Sequence, residues 1–205
     1  MLFRSSSFDQ IGILGKNIDD VALCLEVISG PDEFDSSVFP EAPATYSKLI
    51  DENNALPKSK IAYFPEMPEH EGIDPEIKSA ILNYIESLKA SGHIVEAVNF
   101  DLLDFIVPAY YILTTAEASS NLGRYDGIRY GHSAKKEAVN LDTLYKQSRS
   151  EGFGAEVKRR IMLGSFVLSE GYYDAYFTKA QQVRRKLADK INTIFENYDI
   201  IISPV

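Results

Sequence analysis

Lys60-Ile-Ala-Tyr-Phe-Pro65 is a short apolar run that ends at a proline, and a charged loop follows it as far as Asp74-Pro75. A capping aspartate directly before a proline is typical of the start of an α-helix. The helix predicted from Pro75 to Ser91 ends at Gly92, and the residues from His93 to Val98 again read as a strand. Strand, helix and strand in this order form a β-α-β unit, which favours parallel strands joined by a right-handed crossover. The sequence therefore predicts an α/β fold.

Most of the remaining chain has a helical periodicity. Asn17 can cap a helix that carries Asp19 and Asp20 in its first turn and extends to Gly30-Pro31. Further helices are predicted over residues 107–124, 141–151, 155–170 and 173–198. Residues 31–57 contain four prolines outside any apolar period and are predicted to form a long surface connection.

The residues Asp199-Ile-Ile-Ile-Ser-Pro204 form a continuous β-branched run. Such a run is typical of a strand that is covered on both faces. An interior strand at this position indicates that the sequence was cut from a longer protein.

Within the helix predicted from Pro75, the residues Ile77, Ile81, Tyr84 and Leu88 are predicted to share one buried face.

The overall charge limits the kinds of partner. The chain has 30 acidic residues against 21 basic ones, a formal net charge of −9. Tight binding of a nucleic acid by this chain alone is disfavoured, because neutralising phosphates requires a basic stripe. The most apolar run, Phe105 to Leu113, is far shorter than the roughly 20 residues needed to span a bilayer, so no membrane segment is predicted.

The cysteine and histidine content points to a reducing compartment without a metal. A single cysteine, Cys24, excludes an intramolecular disulfide, and the three histidines are widely separated. Neither residue type has the spacing of a zinc site, so no metal is predicted and the cytoplasm is the expected location. Cys24 shares a predicted helix with apolar neighbours and is therefore predicted to be a small buried thiol.

Two segments mix aromatic residues, arginines and glycines, namely Glu117–Gly131 and Arg149–Gly164. Loops of such composition often line a site, and an arginine can hold a carboxylate through two parallel hydrogen bonds. Composition alone still favours a salt-bridged surface for the second segment. No glycine-rich phosphate loop is present, so nucleotide binding is disfavoured. Ser119 and Ser120 lie within a helical pattern and are predicted to have packing roles.

Six segments carry a resemblance to a known family. They are Ser6-Ser-Phe-Asp-Gln-Ile-Gly12, Val27-Ile-Ser-Gly-Pro-Asp32, Glu117–Gly131, Ser148–Gly164, Glu170-Gly-Tyr-Tyr-Asp-Ala-Tyr176 and Tyr198-Asp-Ile-Ile-Ile-Ser-Pro204. In these segments the chain closely resembles the A subunits of the glutamyl-tRNA(Gln) amidotransferases, which are amidase-signature enzymes. The resemblance implies a partial amidase-signature fold, a mixed β-sheet flanked by many helices. It also identifies residues 1–205 as one segment of that domain, truncated at both ends.

The resemblance implies a glutaminase. In that family glutamine is hydrolysed and the ammonia passes to a partner subunit, which amidates glutamate already attached to its tRNA. A Ser-cis-Ser-Lys triad performs the hydrolysis, and its motif precedes the segment that corresponds to Ser6–Gly12, so no catalytic residue is expected here. The implied partners are the amidotransferase subunits B and C, glutamine, and charged tRNA through the complex. ATP and Mg²⁺ are expected on the partner subunit, with no cofactor in this chain.

The resemblance also assigns two substrate-binding residues. The family's arginine for the glutamine carboxylate corresponds to Arg160, and a tyrosine of the substrate pocket corresponds to Tyr111. Tyr110 points elsewhere on a helix, but a register error of one residue would exchange the two tyrosines. Two alternatives to the glutaminase segment stay open: a non-catalytic binding or scaffold domain derived from an amidase, and another amidase-signature hydrolase of small amides.

Overall fold

The computed structural model describes residues 7–8, 11–35, 38, 40–52, 58–134 and 139–204. Seven α-helices, one π-helical turn and three β-strands lie within these ranges. In chain order they are α1 (Ile18–Ile28), α2 (Tyr46–Glu52), β1 (Lys60–Tyr63), α3 (Pro75–Ala90), β2 (Ile94–Ala97), α4 (Leu103–Leu122), α5 (Leu141–Gly152), α6 (Ala155–Val167), the π-turn (Asp174–Thr178), α7 (Lys179–Phe195) and β3 (Ile200–Ile202).

The three strands form one parallel sheet in the order β2-β1-β3. Ile61 of β1 is aligned with Val95 of β2 and with Ile200 of β3. Ile61 and Ala62 are both buried, with 2% and 0% of their surface exposed. Neighbouring residues of a strand point to opposite faces, so β1 is covered on both sides. The predicted α/β class and the β-α-β unit are confirmed, and the described part of the sheet is parallel throughout.

The connecting helix α3 begins and ends close to where the sequence predicted. Asp74 caps it by accepting a hydrogen bond from the backbone N–H of Glu76, and Pro75 follows the cap. The predicted buried face was partly wrong, because Ile85 is the buried residue while Ile77 and Tyr84 are exposed. The inward stripe of α3 therefore runs through Ile81, Ile85 and Leu88, at helical spacings of four and three residues.

The strand β3 differs from its prediction. It pairs with β1 alone and lies at an edge of the described sheet, and Ile200 is 45% exposed. The expectation that this strand is covered on both faces is therefore wrong for the described residues. A β-branched run reports a preference for extended backbone, whereas burial depends on which neighbours the sheet supplies.

Two apolar clusters hold the helices in place. The first lies between the sheet and α7 and is built on Ala62, Phe64, Phe100 and Ile194. The second joins α4 to the π-turn and α7 through Ala109, Leu113 and Ala180, with Phe8 and Phe177 packed against it. Helix α4 therefore packs on α7 along one side, and it packs on α6 along another.

Several helix predictions need correction. Helix α4 begins at Leu103, four residues before the predicted start, and includes Pro108 in its second turn. Helix α6 ends at Val167 rather than at residue 170. The connection predicted over 31–57 contains the short helix α2, which packs on α1. Cys24 is exposed and not buried as predicted, because Ala22 is the buried residue of α1.

The long helix predicted over 173–198 is interrupted at its start. Residues Asp174–Thr178 form a π-helical turn, and the α-helical spacing begins at Lys179 and ends at Phe195. Aromatic rings surround this turn: Tyr172 packs on Phe166, and Tyr173 packs on Phe177 with centroids 5.1 Å apart. A π-turn hydrogen-bonds residues five apart, so it contains one residue more than an α-turn.

Glu96 of β2 and Tyr198, which precedes β3, are joined by a pH-sensitive contact. The Tyr198 hydroxyl donates to Glu96 Oε2 at 2.7 Å, and Lys60 Nζ lies 3.5 Å from the same oxygen. The hydrogen bond from Tyr198, aided by the charge of Lys60, lowers the pKa of Glu96. The same hydrogen bond raises the pKa of Tyr198. A lowered carboxyl pKa stabilises the fold above the unfolded pKa of about 4.3, and this contribution is lost as the pH falls through the folded value.

Replacing Tyr198 tests this link. We expect Tyr198→Phe to raise the pKa of Glu96 toward its ordinary value, because the donor that stabilises the carboxylate is removed. An NMR titration of the Glu96 side-chain carboxyl measures the change. Tyr84→Phe, which alters an exposed tyrosine of α3, is the matched control and should leave the Glu96 titration unchanged. An identical Glu96 titration in Tyr198→Phe and the wild type would contradict the assignment.

Candidate functional site

Arg160 lies in the second turn of α6 and is anchored by an acid from the first. Glu156 stands near the helix N-terminus, where a carboxylate interacts favourably with the helix dipole. Four residues later, Arg160 Nε donates to Glu156 Oε1 at 3.1 Å. The other carboxylate oxygen accepts from Arg159 Nη1 at 2.5 Å. One carboxylate thus holds two arginines, of which Arg160 is the less exposed, at 37% against 68%.

One tyrosine of α4, Tyr110, lies close to this arginine, and Tyr111 follows it in the helix. The hydrogen bond to Glu156 raises the pKa of Arg160, partial burial opposes the shift, and the Tyr110 hydroxyl adds to the increase. Tyr110 therefore lies within electrostatic reach of the guanidinium, while about half of its surface and half of that of Tyr111 stay exposed. The Tyr111 ring packs edge-on against Tyr110, with centroids 5.6 Å apart and an interplanar angle of 73°. We call Glu156, Arg160, Tyr110 and Tyr111 the arginine–tyrosine cluster.

The close crossing of α4 and α6 makes this cluster possible. Gly164 is buried at the crossing, and a Cβ there would lie 2.7 Å from the Thr115 carbonyl carbon and 2.5 Å from Ser119 Cβ. One residue further along, the hydroxyl oxygens of Ser119 and Ser165 are 3.0 Å apart. The absent side chain at Gly164 sets the spacing that brings Arg160 to Tyr110.

The loop that follows α4 is fastened to α5. Arg149 Nη1 donates to the backbone oxygens of Leu122 at 2.7 Å and Tyr125 at 3.0 Å. Its guanidinium also stacks on Phe153, 5.0 Å from the ring centroid. Gly127 has a φ of +78°, and a Cβ there would lie 2.5 Å from Ser148 Oγ. This loop is therefore a closely packed support, built from residues of both segments that the sequence singled out.

Each of the three histidines has a hydrogen-bond partner within the described residues. His132 Nε2 lies 2.7 Å from Glu151 Oε2, and both side chains are partly exposed. Nδ1 of His70 accepts from the backbone N–H of Gly72, and Nδ1 of His93 accepts from that of Ser59. The sequence missed the His132–Glu151 pair, because nineteen residues and a helix boundary separate the two.

A cavity of about 550 Å³ lies at the carboxyl end of the sheet. Its wall includes Glu66 after β1, Asp101 after β2 and Pro204 after β3, together with His70 and Phe100. Carboxyl ends of parallel strands often bind ligands. Here the Asp101 carboxylate is already paired with Lys190, 2.5 Å away. Among the described residues, no group of three or more His, Cys, Asp or Glu side chains is arranged to hold a metal ion.

The helices of the described ranges were compared with the length and apolarity that a membrane span requires. None of their helices is both long enough and apolar enough to cross a bilayer.

Comparison with known proteins identifies the class. The family model described as Amidase matches residues 1–205, so the chain belongs to the amidase family. The chain is 46% identical to the A subunit of the Staphylococcus aureus glutamyl-tRNA(Gln) amidotransferase in an alignment of 205 positions that covers 98% of this chain and 40% of that protein. It thus spans about 40% of the length of the curated relatives it matches. The resemblance found in the sequence is confirmed.

Solved structures agree on the fold. The crystal structure of the A subunit of the Thermotoga maritima glutamyl-tRNA(Gln) amidotransferase matches with a TM-score of 0.66 and 34% identity, over 96% of this chain and 37% of that one. A bacterial aryl acylamidase of the amidase signature family has a TM-score of 0.62 at 16% identity, over 93% of this chain and 36% of that one. The second likeness supports the fold alone. The predicted amidase-signature fold is confirmed.

Proposed function

We propose that this chain is a segment of a glutamyl-tRNA(Gln) amidotransferase A subunit that contributes part of the glutamine pocket. The observation that carries the proposal is the partly buried Arg160, anchored by Glu156 and close to Tyr110, in a chain similar to such subunits over 98% of its length. In this proposal, glutamine is hydrolysed at this site and the ammonia passes to a partner, in a complex with subunits B and C that converts Glu-tRNA(Gln) to Gln-tRNA(Gln).

The cluster offers a way to hold glutamine. A guanidinium can bind the α-carboxylate of the substrate through two parallel hydrogen bonds. A fixed carboxylate orients the side-chain amide at the other end of the molecule, which lowers the entropic cost of reaching the nucleophile. Tyr111 would form an aromatic wall with a polar tip, and Tyr110 would border the guanidinium. The orientation of the substrate is the contribution of this segment to the reaction.

The remaining chemistry belongs, in this proposal, to other parts of the assembly. By resemblance, the serine nucleophile, the second serine and the lysine precede Ser6 in the domain. ATP and Mg²⁺ act on the partner subunit, and charged tRNA meets the complex rather than this segment. A cytoplasmic location follows from a tRNA substrate and accords with the single cysteine of the chain.

The proposal predicts that the 205-residue chain alone releases no ammonia from glutamine. Arg160 and the tyrosines can bind a substrate, but they supply no nucleophile and no base for it. A coupled ammonia assay of the chain, compared with a heat-inactivated blank, tests this. The same assay on the complete subunit with its partners should show glutamine hydrolysis and, with Glu-tRNA(Gln) and ATP, formation of Gln-tRNA(Gln).

The outcomes separate the proposal from its alternatives. Ammonia release by the isolated chain would refute the assignment of the catalytic residues to another part of the domain. A complete subunit that hydrolyses simple amides without preferring glutamine would favour a different amidase-signature hydrolase. A complete subunit with no hydrolytic activity on any amide would favour a binding or scaffold domain.

A further inference from the structure

Glu156 binds one particular side of the Arg160 guanidinium, the side that carries Nε. A guanidinium presents two pairs of donors to a planar acceptor: a side-on pair that includes Nε, and an end-on pair formed by the two terminal nitrogens. Glu156 Oε1 accepts from Nε at 3.1 Å and so occupies the side-on position. The carboxylate is itself held from its other oxygen by Arg159 Nη1. The Arg160 side chain is thus fixed at the base of its guanidinium.

We propose that Glu156 is a positioning residue that orders Arg160 so that the terminal nitrogens of the guanidinium, end-on, receive the α-carboxylate of glutamine. This inference rests on the proposed function. Glu156 does not touch the substrate in this arrangement. It acts through Arg160, by removing the rotamer freedom that the arginine would otherwise lose when glutamine binds.

Another pair in the same chain shows what a surface contact of this kind looks like. On α7, Arg185 Nε donates to Asp189 Oδ2 at 3.1 Å, also across four residues of a helix. The Arg185 side chain is 80% exposed and its ion pair is with its helix neighbour Asp189, whereas Arg160 is less exposed and also lies close to Tyr110. Exposed pairs contribute little to stability, so Asp189→Asn is a matched control with the same chemistry.

Two substitutions of Glu156 separate positioning from charge. The negative charge of Glu156 repels an incoming carboxylate, so its loss alone would strengthen glutamine binding in both Glu156→Gln and Glu156→Ala. If Glu156 instead positions the arginine, both substitutions weaken glutamine binding. Ala weakens it more than Gln does, because Gln keeps an oxygen that can accept from Arg160 Nε and Ala does not.

The experiment measures the steady-state glutaminase activity of the complete subunit with its partners. Glutamine is compared with 4-aminobutanamide, which lacks the α-carboxylate. We expect Glu156→Ala to raise KM for glutamine about three- to tenfold, the cost of ordering one long side chain on binding, with kcat changed less than about twofold. Glu156→Gln should show a smaller increase. Activity on 4-aminobutanamide should be the same in all variants, and Asp189→Asn should behave as the wild type.

Each other result overturns the inference. An unchanged KM in Glu156→Ala means that Arg160 is held without Glu156. Equal losses on both amides indicate a structural role that does not involve the carboxylate. A lower KM in both variants means that charge repulsion is the whole effect. A wild-type complex that does not hydrolyse glutamine overturns the proposed function and the inference together, whereas an active wild type with an unaffected Glu156→Ala overturns the inference alone.

Discussion

Arg160→Ala in the complete subunit is expected to lower kcat/KM for glutamine by roughly 30- to 1,000-fold, which corresponds to about 2 to 4 kcal/mol of transition-state stabilisation. In the proposed pocket, the change removes a charged, two-pronged contact with glutamine from a partly buried position close to Tyr110. Arg160→Lys should recover only part of the loss, because an ammonium is a point charge and cannot replace the planar fork.

Arg185→Ala provides the control for this measurement. Arg185 also pairs with an acid four residues away on a helix, but it is 80% exposed and lies outside the arginine–tyrosine cluster, so its removal should change kcat/KM less than about threefold. Glutamine hydrolysis is followed by ammonia release at several glutamine concentrations for all four proteins. Wild-type kcat/KM in Arg160→Ala would rule out the assignment and leave a surface ion pair as the better interpretation.

Gly164→Ala is expected to destabilise the fold by about 3 kcal/mol or more, the upper range for overpacking a core. The new methyl group would overlap the backbone oxygen of Thr115 and lie 2.5 Å from Ser119 Cβ, so α4 and α6 would have to separate. Urea unfolding of the 205-residue chain followed by circular dichroism measures the loss. The separation should also move Arg160 away from Tyr110, so glutamine hydrolysis by the complete subunit should fall.

Two further variants make this result specific. Gly154→Ala changes the capping glycine of the same helix, where nothing lies within 4 Å of the added carbon, and should cost less than about 1 kcal/mol. The double variant with Ser119→Gly should recover little of the Gly164→Ala loss, since the overlap with a backbone oxygen persists. Full recovery in the double variant would show that the Ser119 side chain, rather than the backbone of α4, limits the crossing.

Local signals account for what the sequence predicted about the fold. The cap Asp74, the following Pro75 and the stop at Gly92 are read from residue types alone, and the β-α-β unit depends on little else. Burial was harder to predict because it depends on the partner that an element meets. Ile85 rather than Tyr84 faces inward, and Cys24 is exposed although its neighbours in sequence are apolar.

The candidate site also has features that the sequence could predict and one that it could not. Arg160 and Tyr111 came from a family resemblance, and composition alone favoured a salt-bridged surface for Arg160. The pairing of Arg160 with Glu156 is a helix spacing of four that could have been read directly from the sequence. The proximity of Arg160 to Tyr110 required the crossing of two helices about fifty residues apart, and the traces of that crossing in the sequence are small residues on both helices, Ser119 and Gly164.

The π-turn at Asp174–Thr178 has a consequence for how the gene can change. It contains one residue more than an α-helical turn, and each residue of a helix advances the rotation by about 100°. An in-frame loss of one codon here would let the turn close with α-helical spacing while α7 keeps its rotation, so Leu187, Ile191 and Ile194 would still face the sheet. The same loss inside α7 would rotate every residue after it by about 100°. A loss of one residue is therefore accommodated better in this turn than in the helix that follows it.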